Sequence, residues 1–138
     1  MIWTDGRPLP KLLDGGVEID GDYRESRWFG YSVGKWVDDY TLEVQTVGTM
    51  GEDRVWLDNT GRPISDQVLV KETFHRLDND TLEWSETLED SKVFSKPWQT
   101  MKMQLRLQNS RADVLTRYCS PAEIDTYNKT YGDSASGK

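Results

Sequence analysis

The stretch Val68-Leu69-Val70-Lys71-Glu72-Thr73-Phe74-His75-Arg76-Leu77-Asp78-Asn79-Asp80-Thr81-Leu82-Glu83-Trp84-Ser85-Glu86-Thr87-Leu88 decides the fold class. Its first half alternates: Val68, Val70, Glu72 and Phe74 against Leu69, Lys71, Thr73 and His75. Its second half does the same, with Leu82, Trp84, Glu86 and Leu88 against Glu83, Ser85 and Thr87. A period of two is the signature of a half-buried strand. Between the halves stands Leu77-Asp78-Asn79-Asp80, and Asn and Asp tolerate left-handed backbone and bond their own main chain, so the segment reads as a β-hairpin. A three-residue turn at Asp78, Asn79 and Asp80 pairs Leu77 with Thr81. It therefore sets Phe74 opposite Trp84 and Glu72 opposite Glu86.

The same alternation extends outward. Met101, Met103, Leu105 and Leu107 alternate with polar neighbours within Trp98 to Gln108. Leu42, Val44 and Thr46 alternate with Thr41, Glu43 and Gln45. Trp28 to Trp36, Val114 to Tyr118 and Ile2 to Thr4 read as further strands. Val37-Asp38-Asp39 is a turn, and Asn59 to Pro63 a loop. Residues 12–27 form a polar, glycine-containing excursion. Ser120-Pro121-Ala122-Glu123 has a capping Ser, a Pro at the first helical position and an acid three residues after the cap, which opens a short C-terminal helix over Ile124 to Tyr131. Residues 133–138 are a flexible tail.

The expected fold is thus all-β and mainly antiparallel. It is a single domain over 1–138, a small β-barrel or strongly curved meander sheet with a short C-terminal helix. The chain opens almost inside a strand, which leaves an uncovered edge and implies a homodimer.

Charge and composition remove several function classes. The 138 residues carry 17 Lys and Arg against 24 Asp and Glu, a net charge of −7. Such a surface repels phosphate backbones, and no basic stripe appears, so nucleic acid is not an expected partner. No run approaches the roughly 20 apolar residues of a membrane-spanning helix, so no membrane partner is expected. The N-terminus has no signal-peptide pattern, and the single cysteine, Cys119, cannot form an internal disulfide. The expectation is a cytoplasmic protein.

Several segments together resemble a family abundant in soil bacteria, for which no activity is established. They are Ile2-Trp3-Thr4-Asp5-Gly6-Arg7 with Pro8-Leu9-Pro10-Lys11, then Gly30-Tyr31-Ser32-Val33-Gly34-Lys35-Trp36, Trp56-Leu57-Asp58, Gly61, Pro63, Ser65 and Lys96-Pro97-Trp98. The resemblance covers most of residues 2–119 and implies an architecture but no mechanism. Members are usually longer and exported, with strands before the Asp-Gly-Arg segment. This chain also inserts the stretch between Lys11 and Arg27, and carries Ile64 where the pattern places a histidine.

Metal and nucleophile chemistry have little to stand on. There is one histidine, His75, on the polar side of its strand, so neither a metal nor a cofactor is expected. No nucleophile elbow, phosphate loop or dinucleotide fingerprint occurs. The anomaly is Glu72 and Glu86, two carboxylates set in apolar rows. Side by side in a low dielectric they cannot both ionise cheaply, so one is expected to hold its proton and serve as a general acid or base. A buried pair of Glu72 with Arg7 or Lys35 explains the same pattern structurally. Asp58, beside Trp56 and Leu57, is a third candidate.

Six Trp is a high number for this length. They either fill a core or line a cavity, and Ser32, Gly30 and Gly34 near Trp28 and Trp36 leave room for a ligand. The expected ligand-binding residues are Tyr31, Trp36, Trp56, Phe74, Trp84, Met101 and Met103. Two functions fit this equipment. One is a cofactor-independent isomerase, cyclase or lyase acting on an apolar or aromatic small molecule through Glu72, Glu86 or Asp58. The other is a non-catalytic barrel that binds or carries such a molecule.

Overall fold

The computed structural model describes residues 1–51, 54–57 and 61–108. Met1–Leu107 form one compact unit and Gln108–Lys138 a second, of which only Gln108 is among the described residues. The expected strand at Val114 to Tyr118, the helix after Pro121, the tail, Cys119 and Asp58 all lie outside the described residues.

In chain order the strands are β1 (Ile2–Trp3), β2 (Lys11–Leu13), β3 (Gly16–Ile19), β4 (Asp22–Glu25), β5 (Tyr31–Trp36), β6 (Thr41–Val47), β7 (Leu69–Arg76), β8 (Thr81–Glu89), β9 (Trp98–Gln99) and β10 (Met103–Arg106). No helix occurs among the described residues, and the protein is all-β. A seven-stranded sheet runs β1-β5-β6-β7-β8-β10, with β9 also on β8, and β2-β3-β4 form a separate sheet. Only the β1–β5 pairing is parallel; the other strand pairs are antiparallel.

The long sheet is open. β1 and β10 end the path, and no pairing joins them among the described residues. The closure expected for a barrel is therefore not present in these pairings. The excursion over 12–27 is also more ordered than its polar composition suggested. It supplies most of the small sheet, whose β3–β4 turn is Asp20-Gly21, both at positive φ (53° and 84°), as a two-residue turn of matching twist requires. At the other end of the excursion, the strand expected from Trp28 begins only at Tyr31. Trp28 and Phe29 lie exposed in a turn closed by the Gly30 N–H donating to the Arg27 carbonyl (3.1 Å).

The register places side chains in rows. One face carries Trp36, Leu42, Phe74, Trp84 and Met103 in a line across five strands. The next row holds Gly34, Val44, Glu72 and Glu86, and the one after it Ser32, Thr46, Val70 and Leu88. The opposite face carries Lys35, Glu43, Thr73 and Ser85, then Val33, Gln45, Lys71 and Thr87, then Tyr31, Val47, Leu69 and Glu89.

Both faces are covered at the same end of the sheet. On the glutamate face, Val68 and Leu88 pack with Ile64 from the segment before β7, flanked by Val55, Leu57, Val70 and Trp98. On the other, Tyr31 and Val47 pack with Val17 of the small sheet, with Trp3, Leu9, Leu12, Ile19 and Leu69 around them. Val17, Val68 and Leu88 are fully buried. Each such side chain contributes about 1.5–3 kcal/mol. Gly48 lets the small sheet press close. Its φ is +69°, and a Cβ there would stand 2.5 Å from Val17 Cγ1.

A one-residue bulge interrupts the last strand of the sheet. β8 spends four residues from Leu88 to Trp84, while its partner chain spends five from Trp98 to Met103. The extra residue breaks the unbroken alternation expected over Trp98 to Gln108, and brings both Trp98 and Met103 onto the glutamate face despite their opposite phase.

Candidate functional site

Glu72 and Glu86 stand directly opposite each other, as do Phe74 and Trp84. The spacing is that of a cross-strand pair, with Cβ atoms about 4.5–5.5 Å apart. Trp84 donates its indole Nε1–H to Glu72 Oε1 (3.1 Å), so the ring and the carboxylate orient each other. Glu86 is held from the backbone. Its N–H donates to Thr100 Oγ1 (3.1 Å), the Thr100 hydroxyl donates to the Glu86 carbonyl (3.2 Å), and the Thr100 N–H donates to the same carbonyl (2.9 Å). Thr100 sits in the bulge. The bulge therefore fixes the strand edge from which Glu86 projects.

Both glutamates are half-buried, and neither has a Lys or Arg partner among the described residues. The buried ion pair with Arg7 or Lys35 is not formed. Arg7 is bonded to Asp5 through Nε and Nη2 and lies 4.4 Å over the Trp3 ring. Lys35 is exposed on the opposite face. Burial raises the Glu86 carboxyl above the usual range, and the charge of Glu72 adds to the effect. An uncompensated half-buried carboxyl facing a like charge is costly to ionise.

The expected site residues divide. Trp36, Phe74, Trp84 and Met103 share the face of Glu72 and Glu86. Tyr31 does not: it is buried in the opposite core, its ring 6.2 Å from Trp3, its hydroxyl donating to the Glu25 carbonyl (3.0 Å), with the Arg27 guanidinium 4.6 Å over the ring. Met101 falls in the bulge and is 87% exposed, so it lines nothing. Trp56 lies exposed in the covering loop, bridged to Pro63. The room expected at Gly34 is filled. A Cβ there would meet Ile2 Cγ2 at 2.9 Å, Thr4 Cγ2 at 3.2 Å and Leu42 Cδ1 at 3.3 Å, because side chains from the neighbouring strands and from the residue after the parallel β1 fold over it. His75 is held by the Thr41 hydroxyl (2.8 Å) on the polar face.

Sequence reasoning missed Thr100. Its signal was the phase break between Trp98 and Met103, both apolar but an odd number of residues apart. It also missed a polar cleft of about 690 Å³ lined by residues including Gly15, Tyr23, Ser65, Asp66 and Lys92. Three smaller hollows border the Asp5–Arg7 turn and the β7–β8 turn, and Glu72 and Glu86 line none of these four. Among the described residues no group of three or more His, Cys, Asp or Glu could hold a metal ion, and no helix is long and apolar enough to cross a membrane. No protein-family model matches the chain, and neither curated proteins nor solved structures provide a match.

Proposed function

We propose that the protein binds an apolar or aromatic small molecule against Trp36, Phe74, Trp84 and Met103, and catalyses a cofactor-free proton transfer with the Glu72–Glu86 pair. The observation that carries the reading is the direct opposition of two half-buried carboxyls with no cationic partner, one of them biased toward its protonated form. Protonated Glu86 gives a proton to the ligand, and Glu72, oriented by Trp84, takes one from a neighbouring position. The proton count is unchanged, so an isomerisation is the simplest outcome; cyclisation or elimination uses the same groups. Asp58 stays a candidate third carboxylate. A sheet curved toward a barrel around the ligand, a second copy covering the open edge, and a cytoplasmic location belong to the same proposal.

Carriage without turnover is the second reading. The openness of the face favours it, since Trp36 is 59% and Met103 48% exposed and would leave a reacting pair in contact with water.

The test uses a neutral aromatic probe, N-phenyl-1-naphthylamine, for binding, and conversion of 3-cyclohexenone to its conjugated isomer for proton transfer. Glu72→Gln and Glu86→Gln each keep probe binding and each lower isomerisation, by about 10²–10⁴-fold. Probe binding with no isomerisation in the unaltered protein leaves the carrier reading. No binding of the probe, or isomerisation unchanged in both variants, overturns the proposal.

A further inference from the structure

The polar cleft is independent of the glutamate face. One wall comes from the small sheet, through Gly15 and Tyr23. The others come from Met50 and Gly51 after β6, Asp66 before β7, and Lys92 and Val93 after β8. Its volume, about 690 Å³, lies inside the usual range for small-molecule sites.

Hydrogen bonds between segments distant in sequence tie these walls to one another at fixed positions. The Gly15 N–H donates to Asp66 Oδ2 (3.1 Å), Gln67 Nε2 donates to the Leu13 carbonyl (2.9 Å), and Lys92 Nζ donates to Asp66 Oδ1 (2.9 Å). Behind them, buried Asp90 accepts from the Ser65 N–H (2.6 Å), the Ser65 hydroxyl (2.8 Å) and the Lys92 N–H (3.1 Å). The cleft is therefore preformed.

The charges of its lining balance, Glu25 and Asp66 against Arg54 and Lys92. Asp66 spends Oδ1 on Lys92 and Oδ2 on Gly15 and Gln67, so an incoming cation finds neither oxygen of Asp66 open. The hydrogen bond that Lys92 donates to Asp66, then the charges of Asp66, Asp14 and Asp90, hold the Lys92 ammonium above its ordinary range, so an anion at Lys92 meets a cation set among three carboxylates. Against this balance Lys92 offers directional donors. An ammonium has three protons, of which Asp66 takes one. Tyr23 supplies an apolar plate. Its hydroxyl is anchored to the Gly15 carbonyl (3.0 Å), its ring lies across Gly16, where a Cβ would stand 2.7 Å from Cε2, and the residue is still 54% exposed. Met50 and Val93 add apolar surface.

Hydrogen-bond donors beside a fixed aromatic plate, with net charge cancelled, match a ligand that has hydroxyl groups along its edge and C–H groups on its face. We propose that this cleft is a binding site for a neutral sugar of one or two rings, which packs on Tyr23 and accepts hydrogen bonds from Lys92.

The test is ¹⁵N-resolved NMR on the full chain, titrated with glucose, galactose, mannose and maltose, with inorganic phosphate and butylammonium alongside. The expected result is saturable movement of the Gly15, Gly16 and Gly51 amides with at least one neutral sugar. Tyr23→Phe keeps the plate and the binding. Tyr23→Ala abolishes it, and Lys92→Met weakens it by about tenfold, the loss of one hydrogen bond to a charged donor. No saturable shift with any neutral sugar overturns the proposal, as does movement of the same amides by phosphate or butylammonium instead. Unchanged sugar affinity in both Lys92→Met and a folded Tyr23→Ala overturns it equally. None of these readouts touches Glu72 or Glu86, so the two sites stand or fall separately.

Discussion

Replacing Glu86 by Gln should make the protein more stable at neutral pH. The substitution keeps the shape and removes one of two facing charges. At about 5.5 Å and an effective dielectric of about 20, two unit charges repel by about 3 kcal/mol. Both positions are half-exposed, so water screens much of this and about 0.5–1 kcal/mol should survive. Nothing offsets the gain, because the Glu86 carboxylate has neither a hydrogen bond nor an ion pair among the described residues; its bonds to Thr100 are made by the backbone. The pH dependence follows from the raised folded pKa. Below the unfolded value, about 4.3, both states hold the proton and the charge costs nothing. As pH rises through the window up to the folded value, the unfolded chain releases its proton first, so the stability of the unaltered protein falls. Urea denaturation of the two proteins should therefore give nearly equal stabilities at pH 3.5 and a higher midpoint for Glu86→Gln at pH 7. Glu72→Gln combined with Glu86→Gln should gain less than the two single changes added, since either one relieves the repulsion. A loss of 1 kcal/mol or more for Glu86→Gln at pH 7 would refute the reasoning, because it would require a cation or donor holding that carboxylate.

Three further outcomes follow from the geometry. Gly48→Ala should cost at least about 2 kcal/mol in chemical denaturation, because it combines a positive φ with a contact at 2.5 Å to buried Val17 and so pushes the small sheet off its core. Asp90→Asn should lower stability by about 2–3 kcal/mol, since it turns one acceptor toward the Ser65 and Lys92 donors into a donor; amide exchange should speed up at Ser65 and Lys92 together. The Asp5 carboxyl should titrate near 2 by carbon-detected NMR, held down first by the hydrogen bonds from the Arg7 guanidinium, and Arg7→Gln should return it toward the ordinary value of 3.8.

The hairpin was legible because everything it needs is local. The alternation over Val68–His75 and Leu82–Leu88 gives the phase, the Asp78-Asn79-Asp80 turn gives the register, and together they set Glu72 against Glu86 and Phe74 against Trp84 before any long-range contact is known. The same holds for the strand at Thr41–Val47 and for the polar placement of His75. What covers each face was not local. Tyr31 is out of phase with Trp36, so alternation puts it on the face away from the glutamates, but only the docking of Val17 over Val47 makes that side a core. Gly34 reads as open space until the parallel β1 lays Ile2 across it. The bulge at Thr100 is an agreement between two strands about an extra residue, visible in one of them only as a change of phase. The cleft is assembled from segments that meet across more than fifty residues of chain, Gly15 on Asp66 and Gln67 on Leu13 among them, 51 and 54 residues apart. Period and turn chemistry are properties of a few consecutive residues, so sequence alone determined the central strands, their pairing in the hairpin and the juxtaposition of the two carboxylates. Burial and cavity shape depend on which distant surfaces pack together, and that was decided only by the tertiary structure.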